Sequence, residues 1–176
     1  MKVFAAIFLA IGAIAIVVLG LPSSSGGERE FFRFHIRANS DSMSDQAVKH
    51  AIQQEVINEF TPIFAGVTTI EEAMATMRNN LGRIEEISNN VLIEHGKSYL
   101  ASARLSKEHF PTRNYRHVTL PEGLYNALII DLGAGAGQNW WCVIYPPLCF
   151  LNNDIGGERG VVYRSRLNEI INRFFR

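Results

Sequence analysis

The feature that most limits how this chain can fold is an apolar run at its N-terminus. Residues Val3–Leu21, nineteen in all, carry no polar side chain, and only Lys2 stands between them and the first residue. As an α-helix this run would span about 28 Å, close to the thickness of a bilayer core. A core helix of a globular domain rarely lacks a polar face over five turns. We therefore predict that residues 1–22 form a signal peptide or a membrane anchor helix.

The position of Lys2 predicts the orientation of this segment. The positive-inside rule places the N-terminus in the cytoplasm and exports everything that follows. Ser23 and Ser25 suit the small-residue positions of a signal-peptide cleavage site, whereas the length of the apolar run favours an uncleaved anchor. Both alternatives remain open. The serine and glycine residues after Pro22 predict a flexible linker at 23–30.

Composition and motif spacing argue against several function classes. Seventeen Lys and Arg residues balance seventeen Asp and Glu residues, so no net positive charge is present to attract nucleic acid. The glycine loop Gly133–Gly137 has the spacing G-x-G-x-G and precedes a tryptophan-rich strand, which does not suit a dinucleotide. Its glycines instead predict close backbone packing. The histidines lack a metal-ligand spacing. We therefore expect no nucleic acid, no cofactor, no metal and no small-molecule substrate.

Hydrophobic periodicity predicts an α+β domain after the export helix. Ser42 suits the N-cap of a helix that reaches Pro62, with Asp45 in the place of the capping-box glutamate. Thr69 begins a second helical region that ends at His95-Gly96, with a kink or break expected at Gly82. The predicted domain, 31–155, has one β-sheet packed against several helices, and residues 156–176 form an amphipathic C-terminal helix. The other expected elements are strands at 31–36, 99–105, 124–132 and 139–145, and a helix at 162–175.

The stretch GQNWWCVIYPPLCF, residues 137–150, holds both cysteines and both tryptophans of the chain. One interpretation is catalytic: Cys142 would be a nucleophile, with Gln138 at an oxyanion hole and His117 as the base. A metal site is a second, and a disulfide between Cys142 and Cys149 is a third. An oxidising exported compartment favours the disulfide.

Chain geometry sets a condition on that disulfide. In an extended chain the two Cα atoms would lie about 23 Å apart, whereas a disulfide needs less than about 7 Å. The chain must therefore reverse between Cys142 and Cys149, and Pro146-Pro147 is the natural place. We predict the disulfide, and a nucleophilic Cys142 remains the alternative.

Four motifs resemble those of the stage II sporulation protein R family. The two long ones are FHIRANSDSMSDQAVK at 34–49 and the stretch at 137–150 just described. Between them, FPTRNY at 110–115 and LPEGLYNAL at 120–128 follow in the family's order. The resemblance covers Phe31–Phe150. It departs from the family at Met43, where proline is common, and after Tyr115, where glycine is common.

The resemblance implies a signalling protein and not an enzyme. Members are made in the forespore of an endospore-forming bacterium and are exported across the forespore membrane into the intermembrane space. There they activate a membrane-embedded aspartic-type peptidase of the mother cell, which processes the sigma-E precursor. The export segment agrees with that implication independently. The alternatives are an exported hydrolase that uses Cys142 and an exported wall-associated binding module.

Two of the motifs carry more polar and aromatic side chains than folding obviously requires. The turn before the first helix holds more short polar side chains than one helix cap needs. Trp140 and Trp141 should point to opposite faces of a strand, which leaves one for a partner. A purely structural role for both motifs remains open. The predicted peptidase-binding residues are Asn39, Ser40, Asp41, Gln138, Asn139, Trp140 and Trp141.

Overall fold

The computed structural model describes residues 30–115, 118–151 and 158–176, with the side chains of 158–163 left out. The predicted export helix and nearly all of the predicted linker therefore lie outside the described residues, as does His117. Within these ranges, no helix has the length and apolar character needed to cross a bilayer.

Six strands form two sheets in the described part of the chain. Four make a mixed sheet in the order β2-β5-β1-β6, in which β1 runs parallel to β5 and the other neighbours are antiparallel. The remaining two, β3 and β4, form a separate hairpin, so the prediction of one sheet was wrong. Strands of three residues are too short to show an alternating pattern. The strands are β1 (Phe32–Arg37), β2 (Ala101–Phe110), β3 (Arg113–Tyr115), β4 (Val118–Leu120), β5 (Gly123–Leu132) and β6 (Asn139–Tyr145).

Four α-helices are described, together with a short 3-10 turn after β6. The helices are α1 (Met43–Phe64), α2 (Ile70–Asn79), α3 (Leu81–Glu94) and α4 (Glu158–Phe174), and the turn is Leu148–Phe150. Strands and helices together confirm the predicted α+β class. The C-terminal helix also matches the prediction, since its apolar face buries Leu167, Ile170 and Ile171.

Two predicted helix positions need correction: the end of the first helix and the break within the second helical region. Helix α1 begins as predicted, with the Ser42 hydroxyl accepting from the Asp45 backbone N–H at 3.1 Å. It then continues past Pro62, because Phe64 at its end is fully buried and its ring stacks on another ring of the core. The break after α2 lies at Asn80 and not at Gly82. The Asn80 amide donates to the Thr76 carbonyl at 2.8 Å, a local bond that competes with the helix.

Strand β1 alternates between two environments and so sets the two faces of the sheet. Phe32, Phe34 and Ile36 are buried in the main core, which lies between the sheet and the helices. Arg33 and His35 are also buried, but on the opposite face. That second face has two smaller apolar clusters, one around Ala127 and Ile129 and the other around Val143 and Ile171 of α4. It is covered by aromatic and charged side chains from the sheet and from the β3–β4 hairpin.

Candidate functional site

The turn before α1 lies directly against the glycine loop that precedes β6. The Gly137 backbone N–H donates to the Ala38 carbonyl at 2.8 Å. The Asn39 side-chain oxygen accepts from the Ala134 N–H at 3.0 Å, and Asp41 Oδ1 accepts from the Gln138 N–H at 2.6 Å. The two motifs that the sequence analysis combined are thus adjacent in space.

Two glycines make this contact possible. A Cβ atom on Gly137 would overlap the Ser40 carbonyl oxygen. Gly133 has a φ of 56°, and a Cβ there would overlap the side chain of Asn39 and the ring of Tyr99. The glycines at 133 and 137 therefore serve close backbone packing, as predicted.

Asp45 lies at the centre of the hydrogen bonds around this turn. The sequence indicated Asp45 only as a capping residue and gave no sign of this central place. Its carboxylate accepts hydrogen bonds from Asn39 Nδ2 at 2.9 Å and Ser40 Oγ at 2.6 Å. The other oxygen accepts from Lys97 Nζ and Tyr99 OH, each at 2.7 Å. Only 5% of Asp45 is exposed. Asp45 was predicted to complete a capping box, but its carboxylate makes none of the bonds of that motif and instead joins the turn to the chain before β2.

Hydrogen bonds and burial together set the charge states of Asp45 and Tyr99. Those from Lys97, Ser40, Tyr99 and Asn39 hold the pKa of Asp45 well below its usual range. Burial, with the hydrogen bond to Asp45, raises the pKa of Tyr99 well above its usual value. Neither group exchanges a proton near neutral pH, so the cluster is poorly suited to general acid–base catalysis.

A second buried charge, Lys49, holds helix α1 to the same loop. Its ammonium donates to the Gln138 carbonyl at 2.9 Å and to Gln46 Oε1 at 2.6 Å. Burial lowers the pKa of Lys49, and the nearby charge of Asp41 acts in the opposite direction. A lysine in the middle of a helix gives no sequence signal of such a contact.

The two tryptophans lie on opposite faces of β6, as predicted. The ring of Trp140 packs edge-to-face on Phe34 at 5.3 Å between centroids, on the helix side. The ring of Trp141 lies 5.4 Å from that of His35 on the other side, and the Arg113 guanidinium lies 3.8 Å from its centroid. Trp141 remains partly exposed.

Most of the predicted binding residues have partners within the protein. The side chains of Asn39, Ser40 and Asp41 all make the hydrogen bonds described above. Gln138 and Asn139 are exposed. A role for these residues in binding a partner stays a prediction, and the structural alternative now has specific contacts to support it.

The two cysteines form a disulfide, as predicted. Their Cα atoms lie 5.8 Å apart, and the chain reverses between them at Pro146-Pro147. The bond fixes the 3-10 turn, including Phe150, against the end of β6. A sulfur in a disulfide is not a thiolate, so Cys142 in this state lacks the group that the nucleophilic alternative requires.

The second face of the sheet holds a cluster that the sequence analysis did not anticipate. The Arg33 guanidinium is fully buried, with its carbon 4.4 Å from the Phe110 ring centroid and 4.9 Å from that of Tyr125. It also donates to Tyr115 OH at 2.9 Å. Burial lowers the pKa of Arg33. The alternating run FRFHIR was the available signal, since its charged positions share one face of a strand.

A network of opposite charges continues from this cluster along the same face. Arg37 bridges Glu108 and Asp131, and Arg104 pairs with Asp131 as well. His35 Nδ1 lies 3.0 Å from Glu108 Oε2. Glu108 and Asp131 each have an arginine partner in this network. Within the described ranges no cluster of three or more His, Cys, Asp or Glu side chains could hold a metal ion.

Comparison with known proteins gives one family. The sequence model described as Stage II sporulation protein R matches residues 28–154. A curated relative with the same name, from Bacillus subtilis (strain 168), is 42% identical over 120 residues, which is 68% of this chain and 54% of that protein. The chain thus spans about half the length of the curated relative it matches. No solved structure matches it.

Proposed function

The chain belongs to the stage II sporulation protein R family, and we propose that it is an intercellular signal of endospore formation. In this proposal it is made in the forespore and exported into the space between the two cells. It then activates a membrane-embedded aspartic-type peptidase of the mother cell. That peptidase cleaves the sigma-E precursor.

The observation that carries the proposal is the extent of the family match. Residues 28–154 include both the turn at 39–41 and the disulfide-bonded stretch at 137–150. These segments pack on each other through the hydrogen bonds from the Gly137 N–H to the Ala38 carbonyl and from the Gln138 N–H to Asp41, so the match covers a complete structural unit and not an isolated motif. A disulfide suits an exported protein, and the apolar N-terminal run suits its export.

The site itself favours binding over chemistry. Its strongest charges are matched within the protein, and Asp45 and Tyr99 titrate far from neutral pH. The hydrolase alternative needs a free Cys142 thiol, which the disulfide removes. A rigid domain that presents a fixed surface to a membrane protein is consistent with all three observations.

Deletion in the native sporulating host tests the proposal. Without this chain, the sigma-E precursor should remain uncleaved on immunoblots through sporulation. Expression of the chain from a forespore-specific promoter should restore cleavage, whereas a version lacking Val3–Leu21 should not, because it stays in the forespore. Normal cleavage in the deletion strain, or full rescue by the shortened version, would contradict the proposal.

A further inference from the structure

Strand β2 is an outer strand of the four-stranded sheet, and only half of its free edge is occupied. Outer strands present backbone N–H and C=O groups that attract other strands unless something covers them. The first half of the β2 edge is covered by helix α3. Asn89 Oδ1 accepts from the Ala101 N–H and Glu85 Oε1 accepts from the Ala103 N–H, each at 2.8 Å.

Helix α3 can cover the strand in this way because helix residues four apart are spaced almost like strand residues two apart. Four residues of helix advance about 6 Å and two residues of strand advance about 6.8 Å. Asn89 and Glu85 therefore reach alternate N–H groups of β2. By the same spacing, the next helix position is Leu81 and the next strand position is Leu105, and a leucine side chain accepts no hydrogen bond. The cover ends at that point, because α3 itself begins at Leu81.

Beyond this point the β2 edge is open. N–H groups alternate in direction along an antiparallel strand, so those of Leu105, Lys107 and His109 point the same way as those of Ala101 and Ala103, away from β5. The register with β5 is continuous over the whole strand. None of the three donates to another described residue. We call the segment 105–109 the open edge.

We propose that the open edge binds an extended segment of the membrane peptidase, which adds a further antiparallel or parallel strand beside β2. This inference rests on the proposed function, because the partner is the peptidase of that proposal. Strand addition takes its affinity from main-chain hydrogen bonds and its specificity from alternate side chains. The open edge offers three backbone donors in a row for the first purpose.

The side chains of the open edge indicate the sequence that fits. Leu105, Lys107 and His109 share the helix-side face, and Leu124 of β5 lies opposite His109 in the register. Leu124 is 72% exposed, and Lys107 is exposed without an ion pair among the described residues. A strand placed beside them would gain most from a carboxylate near Lys107 and an apolar residue two positions away. The partner segment should therefore contain an acidic and an apolar residue in an i, i+2 pattern.

A proline at position 107 tests the main-chain part of the inference. Lys107→Pro removes an N–H that points away from β5, so the fold should keep its melting temperature while cleavage of the sigma-E precursor falls at least tenfold. Ser106→Pro is the matched control. Its N–H points toward β5, and its loss should lower the melting temperature clearly. Lys107→Ala keeps the N–H and removes the charge, so cleavage should fall only several-fold.

A cross-linking measurement separates this inference from the proposed function. A photo-reactive phenylalanine derivative replaces Lys107 in one variant and exposed Gln54 of helix α1 in another, each co-expressed with the peptidase. An adduct of this chain with the peptidase from position 107 only is expected. If the adduct from position 107 forms but the precursor is not cleaved, the open edge binds the peptidase as proposed, and the proposed function is rejected.

Three results would overturn the inference. They are a folded Lys107→Pro variant that activates the peptidase like the wild type, an adduct from Gln54 but not from position 107, and an adduct between two copies of this chain. Should Lys107→Pro lower the melting temperature as much as Ser106→Pro, the cross-linking pair alone decides.

Discussion

Among the polar residues, the Asp45 carboxylate accepts four side-chain hydrogen bonds and joins the turn before α1 to the chain before β2. We expect Asp45→Ala to lower the free energy of unfolding by about 3 kcal/mol, because it leaves the mostly buried Lys97 ammonium without its counter-charge. The measurement is the midpoint of urea unfolding. Glu86→Ala, which removes one partner of the exposed Arg83, is the control and should leave the midpoint unchanged. An equal effect of the two substitutions would contradict the central place given to Asp45.

The same carboxylate predicts a pH dependence. The pKa of Asp45 is lower in the folded protein than in the unfolded chain, where it is about 3.9. Its contribution to stability is therefore complete above that value and is lost as the pH falls toward the folded pKa. Urea unfolding between pH 7 and acid should show a steeper loss for the wild type than for Asp45→Asn. Parallel pH profiles would show that Asp45 gains nothing from its partners.

The sequence allowed part of this site to be predicted. Short polar residues at 39–42 indicated a helix entry, and Ser42 caps α1 as expected. The partners of Asp45 could not be found in the same way, because Lys97 and Tyr99 are 52 and 54 residues away. Local patterns carry no information about a hydrogen bond formed across such a distance. The buried Arg33 was missed for the same reason, since its aromatic partners belong to other strands.

At the scale of elements, the contact between the glycine loop and the turn can be tested by one methyl group. Gly137→Ala places a Cβ against the Ser40 carbonyl and should lower the free energy of unfolding by about 1–3 kcal/mol. Gly82→Ala is the matched control, since a Cβ there meets nothing within 4 Å inside helix α3. It should raise stability by about 0.5–1 kcal/mol. Thermal unfolding of both variants measures the difference. If both substitutions change the stability in the same direction, the contact between the loop and the turn is contradicted.

The disulfide joins β6 to the 3-10 turn, so replacing either cysteine should have the same effect. Cys142→Ser and Cys149→Ser should each lower the free energy of unfolding by about 2–3 kcal/mol. Each should also reduce precursor cleavage partially and to a similar degree. Thermal unfolding and immunoblots of the precursor check the two effects. Complete loss from Cys142→Ser with an active Cys149→Ser would instead support a nucleophile.

The bounds of elements with long periodic patterns were predictable from the sequence. The bounds of very short strands, and of a helix that continues past a proline, were not. Strand β6 occupies 139–145 as expected, and β5 differs by a single residue. Helix α1 continues through Pro62 because tertiary burial of Phe64 outweighs the lost backbone hydrogen bond. The β3–β4 hairpin was missed because its strands have only three residues each.

For the molecule as a whole, the described domain is a mixed sheet with its main helix-covered core on one face and smaller apolar clusters with aromatic and charged side chains on the other. Two parts of it suit a binding protein: the turn and glycine loop fix a rigid edge of the domain, and the open edge of β2 offers a place for a partner strand. The family resemblance was predictable because its motifs are long and continuous in sequence. That helix α3 covers only the first half of the β2 edge was not predictable, because this depends on where the helix begins.

Reconstitution outside sporulation tests whether this chain activates the peptidase. A bacterium that makes no spores would express the cognate peptidase and the sigma-E precursor, with or without this chain. Immunoblots of the precursor give the readout, and a peptidase with its catalytic aspartate replaced is the control. We expect cleavage only when this chain and the active peptidase are both present. Equal cleavage with and without this chain, or none in either case while all three proteins accumulate, would contradict it.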